Sequence, residues 1–129
     1  MSGNVSAVNR NFPKSKRLLK HADFRRVYES GRRQFTGNMT VFFLRRQSEA
    51  EGPRVGLTVG KVLGGAVERN RIKRRMREAV RLSPPCAGPV DIVFNPRKSV
   101  LAMAFAELLQ EVSRGLKLAE QRARVPETK

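Results

Sequence analysis

The sequence is poor in the residues that build disulfides and metal centres. Its 129 residues include one cysteine, Cys86, one histidine, His21, and no tryptophan. A single cysteine cannot form an internal disulfide, and no Cys/His spacing typical of a metal site surrounds it. There is also no apolar run of about 18 residues and no secretory signal pattern. We therefore expect a cytoplasmic protein that holds no metal of its own.

Acidic residues are few and scattered, which argues against a nuclease site within the chain. A metal-dependent nuclease needs clustered carboxylates to hold its ions. Glu107 and Glu111 share a helix face, but a surface role suits them better. His21 suits the start of a helix better than a general base. Gly64-Gly65 is typical of a tight strand-to-helix turn, because no phosphate-loop Lys and Ser/Thr follow it. We expect no catalytic residue in the protein itself.

Basic residues dominate what is present. Lys and Arg total 27 against 11 Asp and Glu, which gives a net charge of +16. Such an excess repels itself and weakens the compact state unless a polyanion neutralises it. Nucleic acid is the first candidate for that partner, and an anionic membrane surface is the second.

The two ends of the chain differ in composition from the middle. Residues 1–22 contain no acid and carry several basic side chains. This composition has a faint similarity to a transit peptide, but Gly3, Asn4 and Pro13 argue against the amphipathic helix that such a peptide needs. We predict a flexible basic arm at residues 1–17, a folded domain at 18–118 and a polar, frayed tail at 119–129.

Hydrophobic periodicity predicts alternating helices and strands between the ends. In chain order they are a helix at His21–Ser30, strands at Met39–Leu44 and Arg54–Gly60, a helix at about Ala66–Leu82, a strand at Val90–Phe94 that Asn95-Pro96 ends, and a last helix capped by Ser99. Turn residues predict loops at Gln47–Pro53 and Ser83–Pro89. This order indicates a single α+β domain.

The second helix carries the densest charge of the sequence. At 100° per residue, Ile72, Met76, Ala79 and Val80 form an apolar stripe that should face a core. The rest of the circumference is basic, from Arg69 at the edge of the stripe round to Arg81. A solvated helix face normally mixes charges in pairs four residues apart, and like charges at that spacing repel. The pattern therefore favours a surface that binds phosphates.

Charge alone leaves the nucleic acid undecided. A basic helix could enter a DNA major groove. However, no helix-turn-helix spacing, zinc finger or heptad zipper is present to hold it there. RNA binding and DNA binding both remain open on these grounds.

A longer motif around this helix is more specific. Residues 59–74 read Val-Gly-Lys-Val-Leu-Gly-Gly-Ala-Val-Glu-Arg-Asn-Arg-Ile-Lys-Arg. This segment resembles the signature of the bacterial ribonuclease P protein, in which a Ser-Lys-Lys-type turn precedes a Gly-x-Ala-Val segment and an Arg-Asn-Arg-x-Lys-Arg run. Leu19–Tyr28 and Arg54–Val59 are similar to neighbouring parts of that family, so the resemblance covers about residues 16–118. Gly60 and Val62 depart from the family's turn, whereas Lys61 is retained.

The resemblance implies a fold as well. It implies an α-β-β-β-α-β-α order with a mixed sheet, which is one strand more than the residues alone indicate. It also implies that the strand ending near Gly60, the basic helix and Val90–Phe94 form a left-handed βαβ crossover. General topology favours the opposite hand in about 98% of such crossovers.

The resemblance further implies that the chain is the accessory subunit of an endoribonuclease. In that family an RNA subunit, with its magnesium ions, removes the 5′ leader of precursor tRNA, and the protein assists. The expected partners are this RNA and precursor tRNA, with no membrane and no small-molecule substrate. The residues expected to bind the RNA subunit all lie on or beside the basic helix: Lys61, Arg69, Asn70, Arg71, Lys73, Arg74, Arg75 and Arg77.

A second expectation concerns the leader itself. Apolar residues of the first helix and the first predicted strand could simply pack together as core. The resemblance instead implies an open cleft for the single-stranded leader, lined by Phe24, Tyr28, Val41 and Phe43. Unpaired bases stack on aromatic rings at about 1–3 kcal/mol per base. A general RNA-binding or ribosomal protein would share the basic helix but need no such cleft, and a membrane-surface peptide would need no folded domain.

Overall fold

Alternating strands and helices build one mixed sheet with helices on both faces. The structure, a computed structural model, describes residues 3–7, 21–46, 52–84 and 88–124. Its elements are β1 (Gly3–Ala7), α1 (His21–Ser30), β2 (Arg32–Phe35), β3 (Met39–Arg45), β4 (Arg54–Gly60), α2 (Ala66–Leu82), β5 (Val90–Pro96) and α3 (Phe105–Arg124). The predicted α-β-β-β-α-β-α order is confirmed from α1 onward, with β1 as an added strand.

The sheet has the strand order β1-β4-β5-β3-β2. Only β4 and β5 pair in parallel among the described strands, with Arg54 opposite Asp91 and Leu57 opposite Phe94. A parallel pair needs a crossover rather than a hairpin, and α2 supplies it. The βαβ unit is thus confirmed, whereas its left-handedness stays a prediction.

The more apolar face of the sheet carries the main core. Alternate residues of β3, β4 and β5 point to this face and pack beneath α2 and α3. The buried members are Met39, Val41, Phe43, Val55, Leu57, Val59, Ile72, Met76, Ala79, Val80, Val90, Ile92, Phe94, Val100, Leu108, Val112, Leu116 and Ala119. The apolar stripe predicted for α2 is confirmed, because its four members are all in this set.

Gly115 lets α3 approach the sheet closely. A Cβ atom at this position would lie 3.0 Å from Val41 Cγ2 and 3.2 Å from Phe94 Cε1. Glycine within a helix is less favourable than alanine by about 1 kcal/mol, and the close contact offsets this cost. The backbone of α3 therefore packs directly against core side chains of β3 and β5.

Among the described residues, α1 is the helix that covers the opposite face. Phe24 and Val27 of α1 are buried there against Val93 of β5, with Phe42 and Leu44 of β3 partly buried beside them. A helix of ten residues spans about 15 Å and cannot cover a five-stranded sheet. Within the described part of the chain, some of this face is consequently not covered by a helix.

A buried carboxylate joins the β2–β3 turn to α3. Glu111 is 5% exposed, and its Oε2 accepts hydrogen bonds from the Thr36 hydroxyl at 2.6 Å and the Asn38 backbone N–H at 2.8 Å. Its Oε1 accepts a third from Asn38 Nδ2, also at 2.8 Å. The prediction that Glu111 has a surface role is wrong, because these three donors satisfy the carboxylate inside the domain.

Several predicted boundaries shift. β5 continues through Asn95 to Pro96, where it pairs with Met39. Ser99 does not cap α3, because a 3-10 turn at Lys98–Leu101 intervenes and its hydroxyl donates to Asn38 Oδ1. Instead, the Glu107 carboxylate accepts the Ala104 N–H at 3.3 Å, which satisfies a donor at the start of α3.

The two chain ends also differ from expectation. Gly3–Ala7, predicted as flexible, pairs with the edge of β4. This pairing satisfies backbone N–H and C=O groups, which hydrophobic patterns in the sequence do not reveal. The helix α3 does not fray after Ala119 but continues to Arg124. Its last turns are held because Arg122 donates to Gln34 and accepts a hydrogen bond from Arg32 at its carbonyl. The rest of the predicted arm, residues 1–2 and 8–17, lies outside the described residues, as do residues 47–51 and 85–87 of the two predicted loops and, with the latter, Cys86.

Candidate nucleic-acid interfaces

The turn before α2 is built around two glycines. Gly64 has φ +135°, a conformation that side chains rarely adopt, and an added Cβ would lie 2.9 Å from Glu68 Oε1. The Glu68 carboxylate accepts the Gly65 N–H at 2.8 Å and thereby caps the helix. This turn fixes the direction in which α2 presents its basic residues.

The basic residues of α2 fall into three groups around the helix. Asn70, Arg71 and Arg74 point away from the sheet and are exposed. One side of the helix is half-buried and carries three basic residues spaced four apart, Arg69, Lys73 and Arg77, which we call the half-buried flank. On the other flank Arg75 faces α3. Lys61, just before the helix, is exposed beside Val62, whose side chain is 93% exposed.

The half-buried flank holds positive charges close together. Partial burial lowers the pKa of Lys73 from its ordinary 10.5, and the charges of Arg77 and Arg69 lower it further. A phosphate bound among these three groups would raise the pKa of Lys73 again, because its negative charge offsets the repulsion from the two arginines. The electrostatics of this flank therefore favour an anion.

Arg75 has an intramolecular role that the sequence did not reveal. Its guanidinium donates to the Met103 carbonyl and lies over the Phe105 ring, 6.0 Å from the centroid. These contacts point the side chain at the start of α3. The structure therefore places Arg75 apart from the exposed arc that contains Arg71 and Arg74.

The residues predicted to line a leader cleft do not come together. Phe24, Val41 and Phe43 are 1%, 1% and 2% exposed, so none of them lines an open surface. Val41 and Phe43 lie on the core face beneath α2 and α3, whereas Phe24 lies under α1 on the other face. The cleft prediction is wrong for these three, because Val41 and Phe43 lie on the face of β3 away from α1 and Phe24 is buried between α1 and β5.

The open part of the α1 face carries a different set of residues. We call the open sheet face the surface formed by Thr40, Phe42, Thr58 and Asn95, with Tyr28 of α1 at its edge. All five are partly exposed. The Tyr28 and Phe42 rings meet edge to face, with centroids 4.9 Å apart. Of the predicted leader-binding residues, Tyr28 alone is found here.

Tyr28 is anchored by hydrogen bonds across two strands. Its hydroxyl lies 2.7 Å from Thr58 Oγ1 and 2.8 Å from Asn95 Oδ1. Because an amide oxygen only accepts, the Tyr28 proton goes to Asn95, and the Thr58 hydroxyl donates to Tyr28. Burial raises the pKa of Tyr28 above its ordinary 10.0, and the two hydrogen bonds offset part of that rise. The ring is thus fixed and partly exposed.

A buried ion network holds α1 onto the sheet. Asp91 is fully buried and pairs with Arg46 at 2.6 Å and with Arg54 at 2.9 Å. Arg54 also reaches Asp23 at the start of α1, at 3.7 Å, and Asp23 pairs with Arg26. This network sets the position of α1 and therefore the width of the open sheet face.

The described residues also bear on metal binding and on membrane insertion. Within residues 3–7, 21–46, 52–84 and 88–124, no group of three or more His, Cys, Asp or Glu side chains could hold a metal ion. No helix in the same part of the chain is long and apolar enough to cross a membrane.

Comparison with known proteins decides the family. The family model described as Ribonuclease P matches residues 12–120. The chain belongs to the ribonuclease P protein family. A ribonuclease P protein component from Exiguobacterium sp. is 40% identical over 83% of this chain and 92% of its own length. One from Haemophilus influenzae is 39% identical over 88% and 98% of the two chains.

Solved structures agree with this membership. A mutant ribonuclease P protein from Staphylococcus aureus, described as defective in mRNA degradation activity, superposes with a TM-score of 0.71. It is 30% identical and the match covers 82% of this chain and 89% of that one. Membership of the ribonuclease P family implies a subunit of an endoribonuclease that has an RNA partner and a role in processing the 5′ leader of tRNA.

Proposed function

We propose that this protein binds the catalytic RNA of ribonuclease P through α2 and the 5′ leader of precursor tRNA through the open sheet face. The cleavage chemistry is assigned to the RNA subunit and its magnesium ions. The observation that carries the proposal is the exposed basic arc of α2, formed by Asn70, Arg71 and Arg74, beside the half-buried flank of Arg69 and Lys73.

The chemistry of this arc suits RNA. Arginine donates in a planar fork that matches two phosphate oxygens, and Asn70 can both donate and accept. The two glutamates of the helix are occupied: Glu68 caps its start, and Glu78 pairs with Arg81. The arc from Asn70 to Arg74 is therefore positive. Lys61 extends the proposed contact toward the preceding turn, whereas Arg75 is left out of it.

The function is tested by reconstitution. The protein is mixed with its cognate RNA subunit and a precursor tRNA at low magnesium, and 5′ maturation is followed with time. The proposal expects strong stimulation over RNA alone, and no cleavage by protein alone. A general RNA-binding protein would bind both RNAs without stimulating maturation, and that result would exclude the assignment.

The role of α2 is tested by the salt dependence of assembly. An Arg71→Ala/Arg74→Ala variant should reduce the slope of log affinity against log salt by about 1.4–1.8, since each lost phosphate contact contributes about 0.7–0.9. The control is Arg25→Ala/Lys117→Ala, which removes the same charge from exposed positions on α1 and α3. Equal slopes for the two variants would exclude α2 as the interface.

The leader is assigned to the open sheet face because that surface offers rings and polar groups together. Tyr28 and Phe42 present ring surface that a base of any identity can stack on. Thr58 and Asn95 add hydrogen-bonding groups beside them. Mature tRNA lacks the leader, so a leader site would let the holoenzyme bind precursor more tightly than product.

Neighbouring phenylalanines of β3 provide a matched pair of variants. Phe42 lies on the open sheet face, whereas Phe43 is 2% exposed on the core face. Phe42→Leu should weaken holoenzyme binding of precursor tRNA by about fivefold or more while mature tRNA binding stays unchanged. Phe43→Leu should lower stability without changing the ratio of the two affinities. If Phe43→Leu changes that ratio and Phe42→Leu does not, the leader lies elsewhere.

A further inference from the structure

One aromatic ring stands apart from both clusters of core residues. Phe35, the last residue of the edge strand β2, is 50% exposed. Its ring contacts the guanidinium of Arg97, which lies 4.5 Å from the ring centroid. Among the described residues, the other large hydrophobic side chains with comparable exposure are aliphatic. An exposed ring stacked with a cation is a surface suited to a nucleotide base.

The strand register places this pair next to the open sheet face. Phe35 lies opposite Thr40, and Thr40 lies opposite Asn95. Directly opposed residues share a face, so Phe35 is on the same side of the sheet as Phe42. Phe35 and Phe42 lie on adjacent strands and are offset by two residues, so their Cα atoms are about 8 Å apart. A single strand bound at Phe42 could therefore reach Phe35.

The surroundings of Phe35 are positive. Arg33, two residues earlier on the same face, is exposed, and Arg97 is exposed as well. Arg114 reaches the Thr36 carbonyl at 3.4 Å. The carboxylate of Glu111, which bonds to the neighbouring Thr36 and Asn38, is buried. The charge complements a phosphate backbone and disfavours a basic protein partner.

The Phe35–Arg97 contact contributes little to the stability of the fold. A cation–π pair at an exposed site contributes about 0.5–1 kcal/mol. Half of the ring remains in water, and Phe35 belongs to neither buried cluster. Stability of the domain alone does not account for a phenylalanine at this position.

We propose that Phe35 and Arg97 form a second stacking site, which holds an unpaired nucleotide of the 5′ leader beyond those bound at Tyr28 and Phe42. The base stacks on the exposed part of the Phe35 ring, and the Arg97 guanidinium neutralises an adjacent phosphate. This site rests on the proposed leader function and extends it. Leaders long enough to reach Phe35 gain affinity from it, and shorter leaders do not.

The test uses the reconstituted holoenzyme and precursor tRNAs that differ only in leader length. Phe35→Leu and Arg97→Gln are exposed substitutions, and thermal melting followed by circular dichroism confirms that each variant is folded. Each should weaken binding of the long-leader precursor about fivefold, which corresponds to about 1 kcal/mol. Binding of the short-leader precursor, of mature tRNA and of the RNA subunit should remain unchanged.

Each other outcome has a distinct meaning. Equal losses for long and short leaders, or no loss at all, overturn the second site. Weaker binding of the RNA subunit by Phe35→Leu also overturns it and assigns the pair to the catalytic RNA. Phe42→Leu is measured alongside: if it loses precursor affinity while Phe35→Leu does not, the second site fails and the leader function stands. If neither variant loses affinity, the leader function fails too.

Discussion

The most severe single change that the structure suggests is Asp91→Asn. Asp91 is fully buried in β5, and its two oxygens face the side chains of Arg46 and Arg54, which are 11% and 20% exposed. Asparagine keeps the shape but removes the negative charge. Two largely buried guanidinium groups would then lack the ion that compensates them.

The expected cost follows from the energetics of buried ion pairs. Removing one partner of such a pair costs about 3–5 kcal/mol, because the remaining charge is left uncompensated. Both arginines keep other acceptors, among them the Gly52 carbonyl for Arg46 and Asp23 for Arg54. We therefore expect a loss near the lower bound, about 3 kcal/mol, out of a total stability of about 5–15 kcal/mol.

Urea unfolding followed by far-UV circular dichroism measures this loss at fixed pH and salt. The slope against urea should stay the same, because the folded state keeps its packing. Glu29→Gln is the control: it removes one charge from the exposed pair with Arg25 and should leave the midpoint unchanged. If Asp91→Asn loses less than about 1 kcal/mol, the network does not hold α1 in the way described.

Three further changes test other parts of the structure. Glu111→Gln should lower stability by about 1.5–3 kcal/mol in urea unfolding, because charged hydrogen bonds to the β2–β3 turn are lost; an unchanged midpoint would contradict this. Gly115→Ala should destabilise by about 1–2 kcal/mol despite its better helix propensity, because the new Cβ would press on Val41 and Phe94; a rise in the melting temperature would show that α3 can shift away. For Lys73, the folded protein binds fewer protons than the unfolded chain between its lowered pKa and 10.5, so the free energy of unfolding should rise with pH across that window. Lys73→Met should flatten that rise, and an identical pH profile would argue against the shift.

Local sequence patterns predicted the helices and strands with strong periodicity. The bounds of α1, α2 and β4 agree with expectation, because each combines an apolar repeat with a clear stop such as Gly31 or Gly64. The strand β2 has the sequence Arg-Arg-Gln-Phe, which carries no alternation, and it forms because β3 offers an edge for pairing. The residues alone did not indicate it, and the family resemblance supplied the third strand.

The choice of face in β3 was the main error, and it has a physical cause. Met39, Val41 and Phe43 alternate with Thr40, Phe42 and Leu44, so both faces of the strand contain large apolar residues. Local periodicity shows that two faces exist but not which helix covers each one. The composition of the two faces does distinguish them. The face without a polar residue packs under the larger helices α2 and α3, and the face with Thr40 meets the short α1.

The two proposed RNA surfaces lie on opposite sides of one sheet, and different forces would operate at each. The α2 surface is made of charges, so binding there depends on counterion release and weakens as salt rises. The open sheet face offers aromatic rings and neutral hydrogen-bonding groups, whose stacking energy does not depend on the number of phosphates bound. Both surfaces are fixed by β4, which carries Thr58 on the open sheet face and leads through Lys61 into α2. On the proposed function, a domain of this size would hold a catalytic RNA by charge and select its substrate by stacking on the leader, because the sheet keeps the two surfaces apart.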